Sequence, residues 1–306
     1  MRCTIRDISF GMLDATTRLP FRFGISTMTE APILTCRVRI ETGSGQGEGF
    51  SADLLVPKWF EKNPESTIAS DQDALIESAL AAATVALEGD EATPFDHWWR
   101  WMDAIPDHGP ALVRGFGIAL VERALIDATC RLAGVPFAES ATMLGFEAGR
   151  VDDALDGIDP LGRPSTSIAV RHTVGLLDAI RDDQVTTSPN DGLPVSLEEN
   201  IRVYGLHWFK LKVCGDHDAD VERLSQILDV LPSDARITLD GNEQFQCVGD
   251  VRRMIEGLDD TRRMSLTSRL VLIEQPLARA SSFDRDRLEG IEGLPAPVII
   301  DEADGT

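Results

Sequence analysis

Five short apolar segments in the second half of the chain constrain its fold more than any other feature. They lie at 167–174 (SIAVRHTV), 208–213 (WFKLKV), 236–240 (RITLD), 270–274 (LVLIE) and 298–301 (VIID), with helical stretches such as 218–230 and 251–258 between them. A strand buried on both faces reads as a nearly continuous apolar run, and strands that alternate with helices run parallel. The pattern therefore predicts β/α units, in which the C-terminal ends of all the strands gather at one rim.

Three of these strands end in a carboxylate, at Asp240, Glu274 and Asp301. Any one of them is unremarkable, because strand ends meet water and turns favour Asp. Three in succession, each about one β/α repeat after the last, would sit together at the rim where β/α barrels place their active sites. Clustered carboxylates repel one another unless a cation neutralises them. Ligands made only of oxygen favour a hard ion, Mg²⁺ first and Mn²⁺ as the alternative. One strand earlier stand Lys210 and Lys212. Residues two apart on a strand point to the same side, and an inward direction avoids burying both ammonium groups under a helix. Two neighbouring ammonium groups each depress the other's pKa, which makes one of them usable as a general base. A solvated surface strand is the competing reading, and the flanking Trp208, Phe209, Leu211 and Val213 weigh against it.

The first half reads differently. The segment 35–40 (TCRVRI) alternates as a half-buried strand does, and 43–49 (GSGQGEG) forces a hairpin turn; GxGxxG fails there, because the third glycine would fall on Glu48. Helices are expected over 71–87 and 116–133, the second stopped by Gly134 and Pro136. Trp98 and Trp101, three residues apart, would share one helix face in core packing. A length of 306 residues suits two domains, and the Asp-, Gly- and Pro-rich stretch 152–164 is the candidate linker. The expected division is 1–150, an α+β domain, and 151–306, the β/α domain. The formal charge of −22 argues against nucleic acid and anionic membrane as partners. No apolar run reaches the length of a membrane span, and residues 1–10 lack a signal-peptide core. Five cysteines without CxxC spacing read as reduced thiols of a cytoplasmic protein.

The motifs FKLKV (209–213), LDGN (239–242), IEQP (273–276) and IIDE (299–302), with GQGEGF (45–50) and the helix 119–145, resemble the enolase superfamily, specifically its mandelate racemase and muconate lactonizing enzyme family. The KxK pair with EQP and DE points to the muconate lactonizing subgroup. The resemblance implies an α+β capping domain followed by a (β/α) barrel. It implies Asp240, Glu274 and Asp301 as ligands of Mg²⁺, Lys212 as the base at the substrate's α-carbon and Lys210 as its pKa-lowering neighbour. The implied activity is abstraction of the α-proton of a small carboxylate substrate to give a Mg-stabilised enediolate, as in racemases, cycloisomerases and acid-sugar dehydratases. Asn242 would be a contact near the ligands or plain turn chemistry, and Glu302 a hydrogen-bonding member of the acid ring. Phe21, Arg22 and Phe23, in the loop that closes over substrate in the family, would bear on specificity. The full-length form would be a homo-oligomer.

The chain departs from the pattern in two ways. Glu243 and Gln244 follow DGN, and Cys214 stands where glycine is common after KLKV. About five of eight barrel strands are present, so the resemblance implies that the chain is cut off at its C-terminus. It then lacks the acid that serves the opposite substrate face. Expressed alone, the 306-residue chain would self-associate and be inactive even if it bound Mg²⁺ weakly. A non-catalytic remnant that binds metal or a partner is the alternative reading.

Overall fold

The computed structural model describes residues 1–106, 109–158, 162 and 165–305, so part of the expected linker 152–164 lies outside the described residues. The chain forms two compact units. One comprises Met1–Thr16 with Glu30–Ser167, the other Thr17–Thr29 with Ile168–Thr306. The architecture is α/β: an N-terminal antiparallel sheet with helices, followed by a parallel five-stranded sheet with helices that forms part of a (β/α) barrel.

The first half supplies strands β1 (Thr4–Leu13), β2 (Thr16–Phe23), β3 (Ser26–Glu30), β4 (Ile33–Thr42) and β5 (Gly45–Leu54), then helices α1 (Ile68–Leu87), α2 (Pro94–Ala104), α3 (Ala111–Ala133) and the single turn α4 (Ala141–Leu144). Strands β1, β4 and β5 form an antiparallel sheet with β4 in the middle. The period-two pattern of β4 puts Leu34, Cys36, Val38 and Ile40 into a core shared with Leu75 and Ala79 of α1 and Leu120, Val121 and Ala124 of α3. Gly134 ends α3 in the left-handed conformation, φ 69°. Trp101 is fully buried, whereas Trp98 is partly buried and stacks on Phe95 with ring centroids 5.5 Å apart.

Strand β5 and helix α3 approach so closely that a side chain at Gly49 has no room. A Cβ there would lie 2.0 Å from the Ala128 nitrogen and 2.3 Å from the Ala124 carbonyl oxygen. Both are backbone atoms and cannot swing aside. Gly49→Ala is therefore expected to destabilise the first unit by about 3 kcal/mol, the upper end of overpacking costs. Urea unfolding measures this directly, and a loss below about 1 kcal/mol would contradict the packing described.

The second unit contains β6 (Arg171–Val174), α5 (Leu197–Tyr204), β7 (Trp208–Lys212), α6 (His217–Val230), β8 (Arg236–Asp240), α7 (Val248–Glu256), α8 (Asp260–Arg269), β9 (Leu270–Glu274) and β10 (Val298–Ile299). The strands lie in the order β10-β9-β8-β7-β6, all parallel. One face of the sheet carries Val174, Phe209, Leu211, Ile237, Leu239 and Ile273 into an apolar core with Leu224, Ile227, Val251, Ile255 and Leu266 of the helices. The register aligns Lys212 with Asp240, Asp240 with Glu274 and Glu274 with Ile299, so the opposite face gathers the charged residues of each strand. The two outermost strands are shorter than the apolar runs suggest. Strand β6 spans only the part of 167–174 that pairs with β7, and Ile168 and Val170 are 85% and 73% exposed. Strand β10 stops at Ile299, before Asp301. A strand with one neighbour extends only as far as its ladder partner does.

Candidate active site

The charged face at the C-terminal ends of β7, β8 and β9 is built from three adjacent strands. Lys210 and Lys212 share one face of β7, as their spacing requires. Lys210 Nζ lies 2.7 Å from Glu274 Oε1 and 2.8 Å from Asp240 Oδ2, bridging the two acids. Lys212 Nζ lies 2.5 Å from the same Asp240 oxygen and donates to Asn242 Oδ1 at 2.7 Å. Asp240 is fully buried, and Lys212 and Glu274 are nearly so.

Burial would raise the Asp240 carboxyl, but the Lys212 and Lys210 ammonium groups outweigh it and hold Asp240 below the usual carboxylate range. The two lysines diverge. Burial pulls Lys212 below its ordinary value, and the neighbouring Lys210 charge adds to that, against the pull of Asp240. Burial acts on Lys210 too, yet Asp240 and Glu274 together lift it above its ordinary value. Mutual depression of both lysines, expected from their spacing, therefore holds only for Lys212, because Lys210 sits between two carboxylates and Lys212 contacts one.

The remaining acids complete the rim. Asp301 is pushed up to about 6 by burial and then by the charges of Glu302 and Glu274. Glu302 is fully buried and accepts from Asn242 Nδ2 at 3.1 Å. Asn242 thus joins Lys212 to Glu302 while its own N–H donates to Asp240 Oδ1 at 2.9 Å, a turn contact and a site contact at once. From the hairpin of β2 and β3, the Phe23 ring lies 5.7 Å from Lys212 Nζ and packs with Phe21. Phe21 fits against Gly175, where a Cβ would come within 2.8 Å of its ring. The Arg22 side chain is exposed, and its carbonyl accepts from Leu176 N–H at 3.0 Å. Phe21 and Phe23 are thus placed at the site's wall, and Arg22 on the other side of the strand. A cavity of about 700 Å³, lined in part by Arg18, Leu19, Leu177 and Arg223, shares no residue with the acidic rim.

Two further residues were given no role by motif reading. Arg171 of β6 donates to Thr238 Oγ1 at 3.3 Å and lies 4.0 Å from Glu274 Oε2. Its parity with Thr173, which pairs with Lys210, was the available signal. Gln275 follows Glu274 and is 1% exposed.

The donor set fits a hard cation. Glu274 Oε2 is buried without a hydrogen-bond partner among the described residues, a carboxylate oxygen available to a hard ion. Among the described residues no three His, Cys, Asp or Glu side chains converge closely enough to hold an ion as they stand. The lysine ammonium groups instead lie against Asp240 and Glu274. An acid held by an ammonium group is turned toward that group, so Asp240 and Glu274 face the lysines and not a common point.

No family model matches the chain, and no curated protein matches it. Solved structures do. An enolase from Bradyrhizobium complexed with magnesium and mandelic acid matches at 20% identity and TM-score 0.62, over 99% of this chain and 69% of that one. The 2-chloromuconate cycloisomerase from Rhodococcus opacus matches at 20% identity and TM-score 0.64, over 98% and 67%. The dipeptide epimerase from Enterococcus faecalis, complexed with Mg and L-Leu-L-Tyr, matches at 18% identity and TM-score 0.62, over 98% and 68%. Among the described residues no helix is long and apolar enough to cross a membrane. This chain shares the fold of these structures over the 67–69% of their length that it spans.

Proposed function

We propose that the protein is a metal-dependent enzyme of the isomerase or lyase type that removes the α-proton of a small carboxylate substrate. The observation that carries this reading is the buried Lys212, depressed below its ordinary value and set among strand-end acids with Lys210 beside it. Asp240, Glu274 and Asp301 would hold Mg²⁺ or Mn²⁺. The bound ion would supply the positive charge that draws in the substrate carboxylate and acidifies its α-proton. Lys212, as the neutral amine, takes that proton. Lys210 stays charged and favours the neutral form of its neighbour. Phe21 and Phe23 keep water from the base, and Asn242 orients its Nζ through the 2.7 Å hydrogen bond. Occurrence in the cytoplasm and assembly as a homo-oligomer go with this reading.

A single base reaches one face of a substrate. The step expected of Lys212 is exchange of the α-proton with solvent, the first half of a racemisation, elimination or ring closure. The ligands named in the similar structures are suitable probes: mandelate and L-Leu-L-Tyr. In deuterated water with Mg²⁺, proton NMR should show loss of the α-proton signal of at least one of them. Mg²⁺ binding without exchange of any α-proton in a broader carboxylate panel would favour the non-catalytic remnant instead.

A further inference from the structure

We infer that Gln275 is the positioning residue for Asp301, its side-chain amide replacing the strand ladder that stops short of that acid. The inference rests on the proposed role of Asp301 in holding a metal ion. Strand β10 ends at Ile299, whose carbonyl accepts from Gln275 N–H at 2.9 Å in the last rung between β9 and β10. Asp301 lies beyond that rung, so no strand pairing fixes its backbone. Gln275 Oε1 takes over, accepting from Asp301 N–H at 2.8 Å and from Ala303 N–H at 3.0 Å. Its Nε2 donates to the Leu277 carbonyl at 2.7 Å and to Ser282 Oγ at 2.8 Å. Both hydrogens and both acceptor directions of the amide are used, on a side chain that is 1% exposed.

The backbone at this point is strained in the same cause. Gln275 has φ 35°, and Asn242 and Glu243 on the neighbouring loop have φ 40° and 70°. These are three of the five non-glycine residues with positive φ among the described residues. Glu243 N–H donates to the Gln275 carbonyl at 2.8 Å, so the two strained loops hold each other. Strain of this kind persists only where the surroundings over-determine it, and it gathers at functional sites. The outcome is one buried amide that sets the loop of Asp301 and Glu302 against the ends of β8 and β9.

The polarity of the amide gives a test that a general packing role would not pass. Gln275→Met keeps the volume and removes all four side-chain bonds. Ser282→Ala removes one acceptor of the Gln275 Nε2 hydrogens and leaves the Oε1 bonds in place. With Mg²⁺ as the probe, calorimetry on folded protein should show at least a ~10-fold larger dissociation constant for Gln275→Met, with Ser282→Ala staying close to the parent. In metal-free protein, amide exchange at Asp301 and Ala303 should quicken in Gln275→Met and remain slow in Ser282→Ala. Equal Mg²⁺ affinity and equal exchange in Gln275→Met and the parent would overturn the inference. If the parent takes up no Mg²⁺, the proposed activity fails. The metal-free exchange at Asp301 and Ala303 still decides whether Gln275 holds that loop.

Discussion

Lys212→Ala should lower Mg²⁺-dependent exchange of a substrate α-proton by at least about 10³-fold, the range that a positioned general base contributes. The expectation follows from the placement of Nζ, buried under the Phe23 ring and held by Asp240 and Asn242. Alanine leaves no other amine at that position, because Lys210 is turned to Glu274 and Asp240 and is kept charged by them. Lys210→Met should slow exchange without abolishing it, since the proton acceptor remains. Loss of exchange in Lys210→Met with exchange retained in Lys212→Ala would reverse the two roles. Circular dichroism on both variants guards against simple unfolding, because each lysine is the partner of a buried carboxylate and its removal carries a stability cost.

The second large effect concerns the metal. The double variant Asp240→Ala, Glu274→Ala removes two of three proposed ligands and should weaken Mg²⁺ binding by about 100-fold or more, beyond what loss of a supporting hydrogen bond does. Asp240 is fully buried between two ammonium groups, so its loss also leaves Lys210 and Lys212 short of a counter-charge. Asp240→Asn keeps the shape while removing the charge, and should reproduce most of the loss in affinity. Unchanged calorimetric affinity in the double variant would remove these acids from the metal site altogether.

Much of the charged face was legible because it follows from parity and spacing. Lys210 and Lys212 share a side of β7 since strands repeat every two residues, and Asp240 and Glu274 fall in register since each ends a strand of similar length. What parity does not reveal is which carboxylate each ammonium group meets, and the divergence of Lys210 from Lys212 lies in those contacts. The role of Gln275 was hidden for another reason: its partners at Asp301 and Ala303 lie across a strand boundary that no local pattern marks. Boundaries failed where pairing ran out. The apolar run at 167–174 looked like one strand, but only the part facing β7 finds a ladder partner. Placement of the hairpin was also illegible, because the residues that receive Phe21 and Phe23 come more than a hundred positions later.

That last separation has a consequence for how the protein is made. The stretch Thr17–Thr29 leaves the ribosome early, yet it belongs to the unit formed with Ile168–Thr306. Arg18 is anchored to Asp191 at 2.6 Å and to the carbonyls of Leu193 and Pro194, and the Arg22 carbonyl to Leu176. During translation the hairpin must wait, its apolar side uncovered, until those partners emerge. Contacts so distant in sequence are the slowest to form and the most open to capture by other chains. The environment of Lys212 is therefore completed late, after β7 is synthesised and the waiting hairpin has docked. A nascent chain paused before residue 170 would carry a folded first unit and an unprotected hairpin, which is the window in which a chaperone would act on it.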